Sequence, residues 1–147
     1  MADVTLRSYV FLDDLQPQLA AFIGTTARGF LPVAGVASLF IEVAPGLIIN
    51  RLMDVALKAT SCTPAIMVVE RAFGMLEIHE WDKGQVETGG QAVLDYLKLE
   101  EHDRLKPRLV SDQVIRSVES YHAQLINKMR YGDQLLPGES LLIIETE

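Results

Sequence analysis

Apolar and polar positions recur along this chain in blocks whose period changes, and each change marks an element. Leu6 to Leu15, "LRSYVFLDDL", opens with aromatic and β-branched residues, and Ser38 to Gly46, "SLFIEVAPG", is a compact apolar run closed by Pro45-Gly46. Both predict strands. Between them "TTARGFLPVAG" is punctuated by Gly29, Pro32 and Gly35, which predicts a loop or hairpin bend. From Leu47 to Ala59 the period lengthens: Leu47, Ile48, Leu52, Val55, Ala56 and Ala59 recur at helical spacing, while Asn50, Arg51, Asp54 and Lys58 face elsewhere. An amphipathic helix is expected there, ending in Ser61 to Pro64, because proline disfavours helical backbone in the residue before it. Ala65 to Glu70 and Phe73 to Glu80 then predict two strands around a tight turn. "DKGQVETGG" reads as a polar loop, and Gln91 to Leu97 as a second, shorter helix. The expected fold class is α+β, an antiparallel sheet with helices on one face, arranged as a permuted relative of the βαββαβ plan.

From Glu100 to Pro107 the chain turns charged, "EEHDRLKP", which predicts a linker and a first domain over residues 1–106. Beyond it the opening pattern returns. Gln18-Leu19 matches Gln124-Leu125, Leu31-Pro32 matches Leu136-Pro137, and "ASLFIEV" matches "SLLIIET" with Glu42 opposite Glu145. The interval shortens from one pair to the next, as small deletions would produce. A period of about 105 residues implies two copies of a whole domain rather than short stacked units. Residues 107–147 are therefore expected to begin a second, truncated copy, whose strands would show unpaired edges and an uncovered apolar face.

Charge and composition narrow the function. A net charge of −7 argues against broad nucleic-acid binding, so any positive site must be local. Apolar runs such as Ala65 to Val69 fall far short of the ~18 residues that span a bilayer, and "MADVTLRSYV" has no secretory pattern. A cytoplasmic location and no membrane partner are expected. Cys62, the single cysteine, excludes an internal disulfide and suits a small apolar site. His79, His102 and His122 lie far apart, without metal-ligand spacing to one another or to Cys62. There is no phosphate-binding glycine loop and no nucleophile elbow. No catalytic constellation, metal or cofactor is expected.

Two charged positions stand out. In "AIMVVERAFGMLEI", Glu70 and Arg71 sit side by side within an apolar stretch. Neighbouring strand residues point to opposite faces, so the two cannot form one buried pair within a strand; a turn position frees them. They then suit either a solvated hairpin tip or, in a closed ring of subunits, charges that line an opening. Lys58 follows Asp54 by one helical turn, which suits an ordinary surface pair or a lysine at a rim where subunits tile.

With these features assembled, the chain resembles bacterial microcompartment shell proteins, most specifically the tandem-domain shell proteins of carboxysomes, the compartments of photosynthetic carbon dioxide fixation. The resemblance lies in "LRSYVFLDDLQPQLAAFIGTTARGFLP", "SLFIEVAPG", "DVALKAT", "VERAFG" and "AQLINKMR" with "SLLIIETE". It implies a permuted ferredoxin-like shell domain followed by an incomplete second copy, and a structural protein rather than an enzyme. It further implies three chains forming a pseudohexameric facet tile, stacking of two trimers, and contact with other carboxysome shell proteins. A large gated central pore is implied, with Glu70 and Arg71 moving at the opening, Phe73 and Gly74 in the pore loop, Gly74 giving the turn its backbone freedom, and Lys58 at the tile edge. Bicarbonate, ribulose bisphosphate and phosphoglycerate are the anions such a pore would pass. Competing classes are a trimeric small-ligand-binding regulator on a ferredoxin-like fold, and a small hydrolase acting on a phosphoester or acyl phosphate.

Overall fold

Leu39, Ile41 and Val43 alternate with Ser38, Phe40 and Glu42 along one central strand, and that alternation organises the first of the two units into which the chain divides. The structure, a computed structural model, describes residues 4–129 and 134–146; Arg130, the last residue of "AQLINKMR", and Glu147 lie outside them. The units are Met1–Leu105 and Lys106–Glu147.

In the first unit β1 (Thr5–Leu12), β2 (Ala37–Ala44), β3 (Thr63–Glu70) and β4 (Phe73–Glu80) form an antiparallel sheet in the order β1-β2-β4-β3. One face carries Ala37, Leu39, Ile41 and Val43 of β2 with Leu76 and Ile78 of β4, all fully buried. Against it pack Ile49, Leu52, Met53 and Ala56 of α2 (Ile49–Ala59) and Val86, Val93 and Leu94 of α3 (Lys83–Leu97). Leu47 does not belong to this stripe: it sits in the short 3-10 turn Gly46–Ile48, whose tighter pitch shifts the phase, and it is exposed. The opposite face carries a smaller cluster. Ala20 and Ile23 of α1 (Pro17–Thr26) pack with Leu15, Val36, Ala65 and the half-buried Phe40 and Ile66. The sequence pattern assigned no element to this helix, although Pro17 suits a first helical turn, where its missing N–H would find no partner anyway.

The polar stretch "DKGQVETGG" is helical rather than a loop; it forms the first part of α3. The Asp82 side chain caps it by accepting from the Gly84 N–H at 2.9 Å. Its glycines, which favour loops on propensity, are explained by tertiary contact. A Cβ at Gly90 would stand 2.1 Å from the Tyr9 hydroxyl and 2.6 Å from Leu39 Cδ2, so only glycine lets the helix approach the sheet this closely.

In the second unit β5 (Leu109–Ile115) and β6 (Leu141–Thr146) pair antiparallel, with α4 (Ser120–Met129) between them in sequence. Its backbone repeats that of β1, α1 and β2. Leu15 N–H donates to Val36 O and Gly35 N–H to Leu15 O, each at 2.9 Å; Val118 N–H to Glu139 O and Gly138 N–H to Val118 O do the same at 2.9 Å. The register slips between Leu6 and Ser8 in one unit and between Leu109 and Ser111 in the other. Every matched pair is separated by the same interval as Glu42 and Glu145, so the drifting interval read from the sequence is corrected. Gln18-Leu19 stands opposite Tyr121-His122, because the helices begin and end at equivalent positions.

Candidate functional site at the β3–β4 turn

β3 and β4 pair up to Glu70 opposite Phe73, which leaves Arg71-Ala72 as a two-residue loop. Arg71 has φ 54°, and Ala72 is not left-handed. This is the sign pattern of a type II′ hairpin turn, where glycine is the favoured first residue. An arginine there carries about 1–2 kcal/mol of backbone strain. Glu70 and Arg71 are both exposed, and among the described residues neither makes a salt bridge within the chain. The turn projects two adjacent, unspent opposite charges.

The base of the turn is held firmly. Gly46 N–H donates to Ala72 O at 2.7 Å. Gly74 lies in β4 without a left-handed φ, so the backbone freedom expected of it is not its role. It is buried, and a Cβ on it would stand 2.2 Å from Gly46 O; its bare Cα lets the 3-10 turn close against the strand. Phe73 is likewise a strand residue. Its ring carries the Arg7 guanidinium 3.9 Å above the centroid, and Arg7 Nε donates to Glu42 Oε2 at 3.0 Å. Glu42, Val68, Glu70, Arg71, Phe73 and Met75 line a cavity of about 310 Å³ beside the turn. Sequence reasoning missed Arg7 and Glu42. The only local signal is a polar pair facing each other across the two predicted strands.

Lys58 lies apart from the turn, on the exposed side of α2, with its Nζ 2.8 Å from the Asp54 carboxylate. The hydrogen bond from Lys58, aided by the charges of Lys58 and Arg51, holds the Asp54 carboxyl below its ordinary range.

A second polar cluster was also illegible in the sequence. Glu77 is fully buried on the α1 face of β4. The Ser38 hydroxyl donates to its Oε1, Ala65 N–H donates to Oε2 at 3.1 Å, and His79 Nδ1 lies 3.2 Å from Oε2. His79 Nε2 in turn lies 3.0 Å from Thr63 Oγ1. The Ala65 amide sits at the register slip between Pro64 and Ile66, so the carboxylate satisfies a donor that the ladder leaves over. Among the described residues no group of three or more His, Cys, Asp or Glu is placed to hold a metal. Cys62 is a buried free thiol, pushed up in pKa by burial. No helix among the described residues is long and apolar enough to cross a membrane.

These features meet known proteins as follows. A family model described as the CsoS1D N-terminal domain matches residues 6–103. The chain is 51% identical over 144 residues to the carboxysome shell protein CcmP of Synechococcus elongatus, covering 98% of this chain and 68% of that protein. Among solved structures it superposes on the fused permuted hexameric shell protein MSM0275 from the RMM microcompartment with a TM-score of 0.87 and 44% identity, covering 97% of this chain and 70% of that one. The double ringed trimeric shell protein MSM0271 from the same microcompartment gives 0.83 and 38%, covering 97% and 69%. The antiparallel sheet with its helices is thus the permuted shell fold. A relative half identical across nearly the whole chain, and a family model spanning most of the first unit, mean that this chain belongs to the CsoS1D and CcmP family of carboxysome shell proteins.

Proposed function

We propose that this chain is a structural tile of a carboxysome shell, in which three copies close around an axis edged by Glu70 and Arg71 and so form a gated metabolite pore. Residues 1–106 act as a permuted shell domain and residues 107–147 as the beginning of a second one. The repeated hydrogen bonds and matched register slip of the two units support that division. One observation carries the pore reading: Glu70 and Arg71 are exposed, make no salt bridge among the described residues, and are mounted on a strained turn with an anchored base.

Around a threefold axis each Glu70 can meet a neighbour's Arg71, which closes the opening; folding the side chains away leaves a polar aqueous passage. Such a gate is a two-state element. A metabolite shifts it only by binding one state better than the other. Arg71 copies attract anions such as bicarbonate, ribulose bisphosphate and phosphoglycerate, and Glu70 copies moderate that field; with a net charge of −7 the attraction is local to the opening. Phe73 and Gly74 form the fixed base of the pore loop, and Lys58 stands at the tile edge where trimers and other shell proteins adjoin. The double ring named for MSM0271 supports stacking of two trimers. The tile itself performs no chemistry and needs no cofactor.

The test is phosphosugar flux across shells assembled with Glu70→Ala and Arg71→Ala tiles. Three partly exposed pairs at about 0.5–1 kcal/mol each shift the closed population by roughly tenfold or more, and flux through each variant should rise accordingly. Unchanged permeability in both rejects the gate. Isolated trimers that bind a nucleotide tightly and never form sheets would favour a small-ligand regulator instead.

A further inference from the structure

We infer that Arg7 is a positioning residue for the turn: by clamping Phe73 and pairing with Glu42, it keeps Glu42 from capturing Arg71. The inference rests on the reading that Arg71 works at an axis between subunits, and deepens it. Three observations carry it. Arg7 stands where the β1 register slips, so its side chain leaves the regular alternation of the strand. There its guanidinium reaches two partners at once, the Glu42 carboxylate at 3.0 Å and the Phe73 ring at 3.9 Å. Phe73 is the residue paired with Glu70 across the turn, so holding the ring holds the strand end from which the loop springs. Glu42 and Arg71, finally, line the same cavity of about 310 Å³.

In the second unit the equivalent acid, Glu145, is exposed and stands without an arginine. The same register slip occurs there and Glu145 stands opposite Ser111, but Val110 occupies the position equivalent to Arg7. The Ser111 hydroxyl donates to Glu145 at 2.9 Å. Ser8 stands opposite Glu42 in the same way, so a hydroxyl is already on hand in the first unit. What differs is the surroundings: Glu42 is half-buried beside the β3–β4 turn, whereas Glu145 is exposed. Without Arg7, Glu42 becomes a half-buried carboxylate without its cation, and the free Arg71 on the wall of the same cavity is its natural replacement. Arg71 would then be drawn back from the axis and could no longer meet a neighbouring Glu70.

Crystal structures of the full chain carrying Arg7→Gln and Arg7→Gln with Glu42→Gln test this. The glutamine keeps a planar group and stem against Phe73 but removes the charge, which guards against the unfolding that Arg7→Ala risks. In Arg7→Gln, Arg71 should lie within about 4 Å of Glu42, ordinary ion-pair distance; in the double variant it should return to its parent position. Assembled shells should follow the same order, with Arg7→Gln as permeable as Arg71→Ala and the double variant restored to the parent level. A merely structural Arg7 would destabilise both variants alike and leave Arg71 where it is. Arg71 unmoved in Arg7→Gln overturns the clamp, whatever the permeability. Arg71 on Glu42 with unchanged permeability upholds the clamp and removes the pore reading instead.

Discussion

The two units share one backbone frame and differ in what covers it. In the first, Leu39 and Ile41 of β2 are fully buried; their equivalents in β6, Leu142 and Ile144, are 58% and 57% exposed. Beside Ile23 and Phe40, Ala65 and Ile66 of β3 fill the space against α1. Beside Ile126 and Ile143, the equivalents in the second unit, lies a cleft of about 620 Å³. The helix starts differ too. Gln16 makes no side-chain cap and Pro17 removes a donor, whereas the Glu119 carboxylate accepts from the Tyr121 and His122 N–H groups at 2.8 and 3.1 Å. Both units thus keep the same hydrogen bonds within their strand-helix-strand segment, while burial in the first unit comes from α2, β3, β4 and α3.

The strongest way to break this contrast is to truncate the same repeat position twice. Leu39→Ala should cost about 2–5 kcal/mol, as large-to-small changes in a closed core do. Leu142→Ala should stay within about 0.5 kcal/mol, as surface changes do. Urea unfolding followed by fluorescence of Trp81, the chain's single tryptophan, reports the first unit, and far-UV circular dichroism reports both. A cost of about 2 kcal/mol or more at Leu142 would mean that β6 is covered in solution. A smaller effect is expected from Val110→Arg, which installs beside Glu145 the cation that Arg7 supplies beside Glu42. Its gain should be about 0–1 kcal/mol and should vanish near 1 M salt, where the screening length is about 3 Å. Thermal midpoints at low and high salt check both, and a gain indifferent to salt would refute the ion pair.

The smallest effect is electrostatic and local. Asp54 in the first unit is held low chiefly by Lys58, and Glu119 in the second by the N–H groups of Tyr121 and His122. Both folded-state values lie below the unfolded ones, so each carboxylate's contribution to stability is present above about pH 4 and is lost as pH falls through the folded value. Lys58→Met should raise Asp54 toward the ordinary carboxylate range and leave Glu119 where it is. Carboxyl titration by NMR decides this, and an unmoved Asp54 would deny the pair its role.

Much of the frame was legible in the residues. β-branched and aromatic runs broken by "ERAF" set the β3–β4 hairpin and put Glu70 and Arg71 at its tip, because two strands joined by a two-residue loop leave those positions no other place. The helical spacing from Leu47 to Ala59 likewise gave α2, but its stripe took in Leu47 and Ala59, which are exposed, and left out Ile49 and Met53, which are buried. Local pattern could not show what lies above a polar face. Glu77 reads like any solvent-facing strand residue, yet it is fully buried with Ser38, Ala65 and His79 as partners. Gly89 and Gly90 read as loop, yet they lie within α3 against Ile78, Tyr9 and Leu39. Arg7, Glu42 and Phe73 meet across three strands. The sequence by itself thus determined the strands of the first unit, the course of α2 and the exposed charges of the β3–β4 turn, because those depend on a residue and its near neighbours. Only the tertiary structure decided which polar groups are buried and which distant side chains meet, because that depends on packing between segments far apart in the chain.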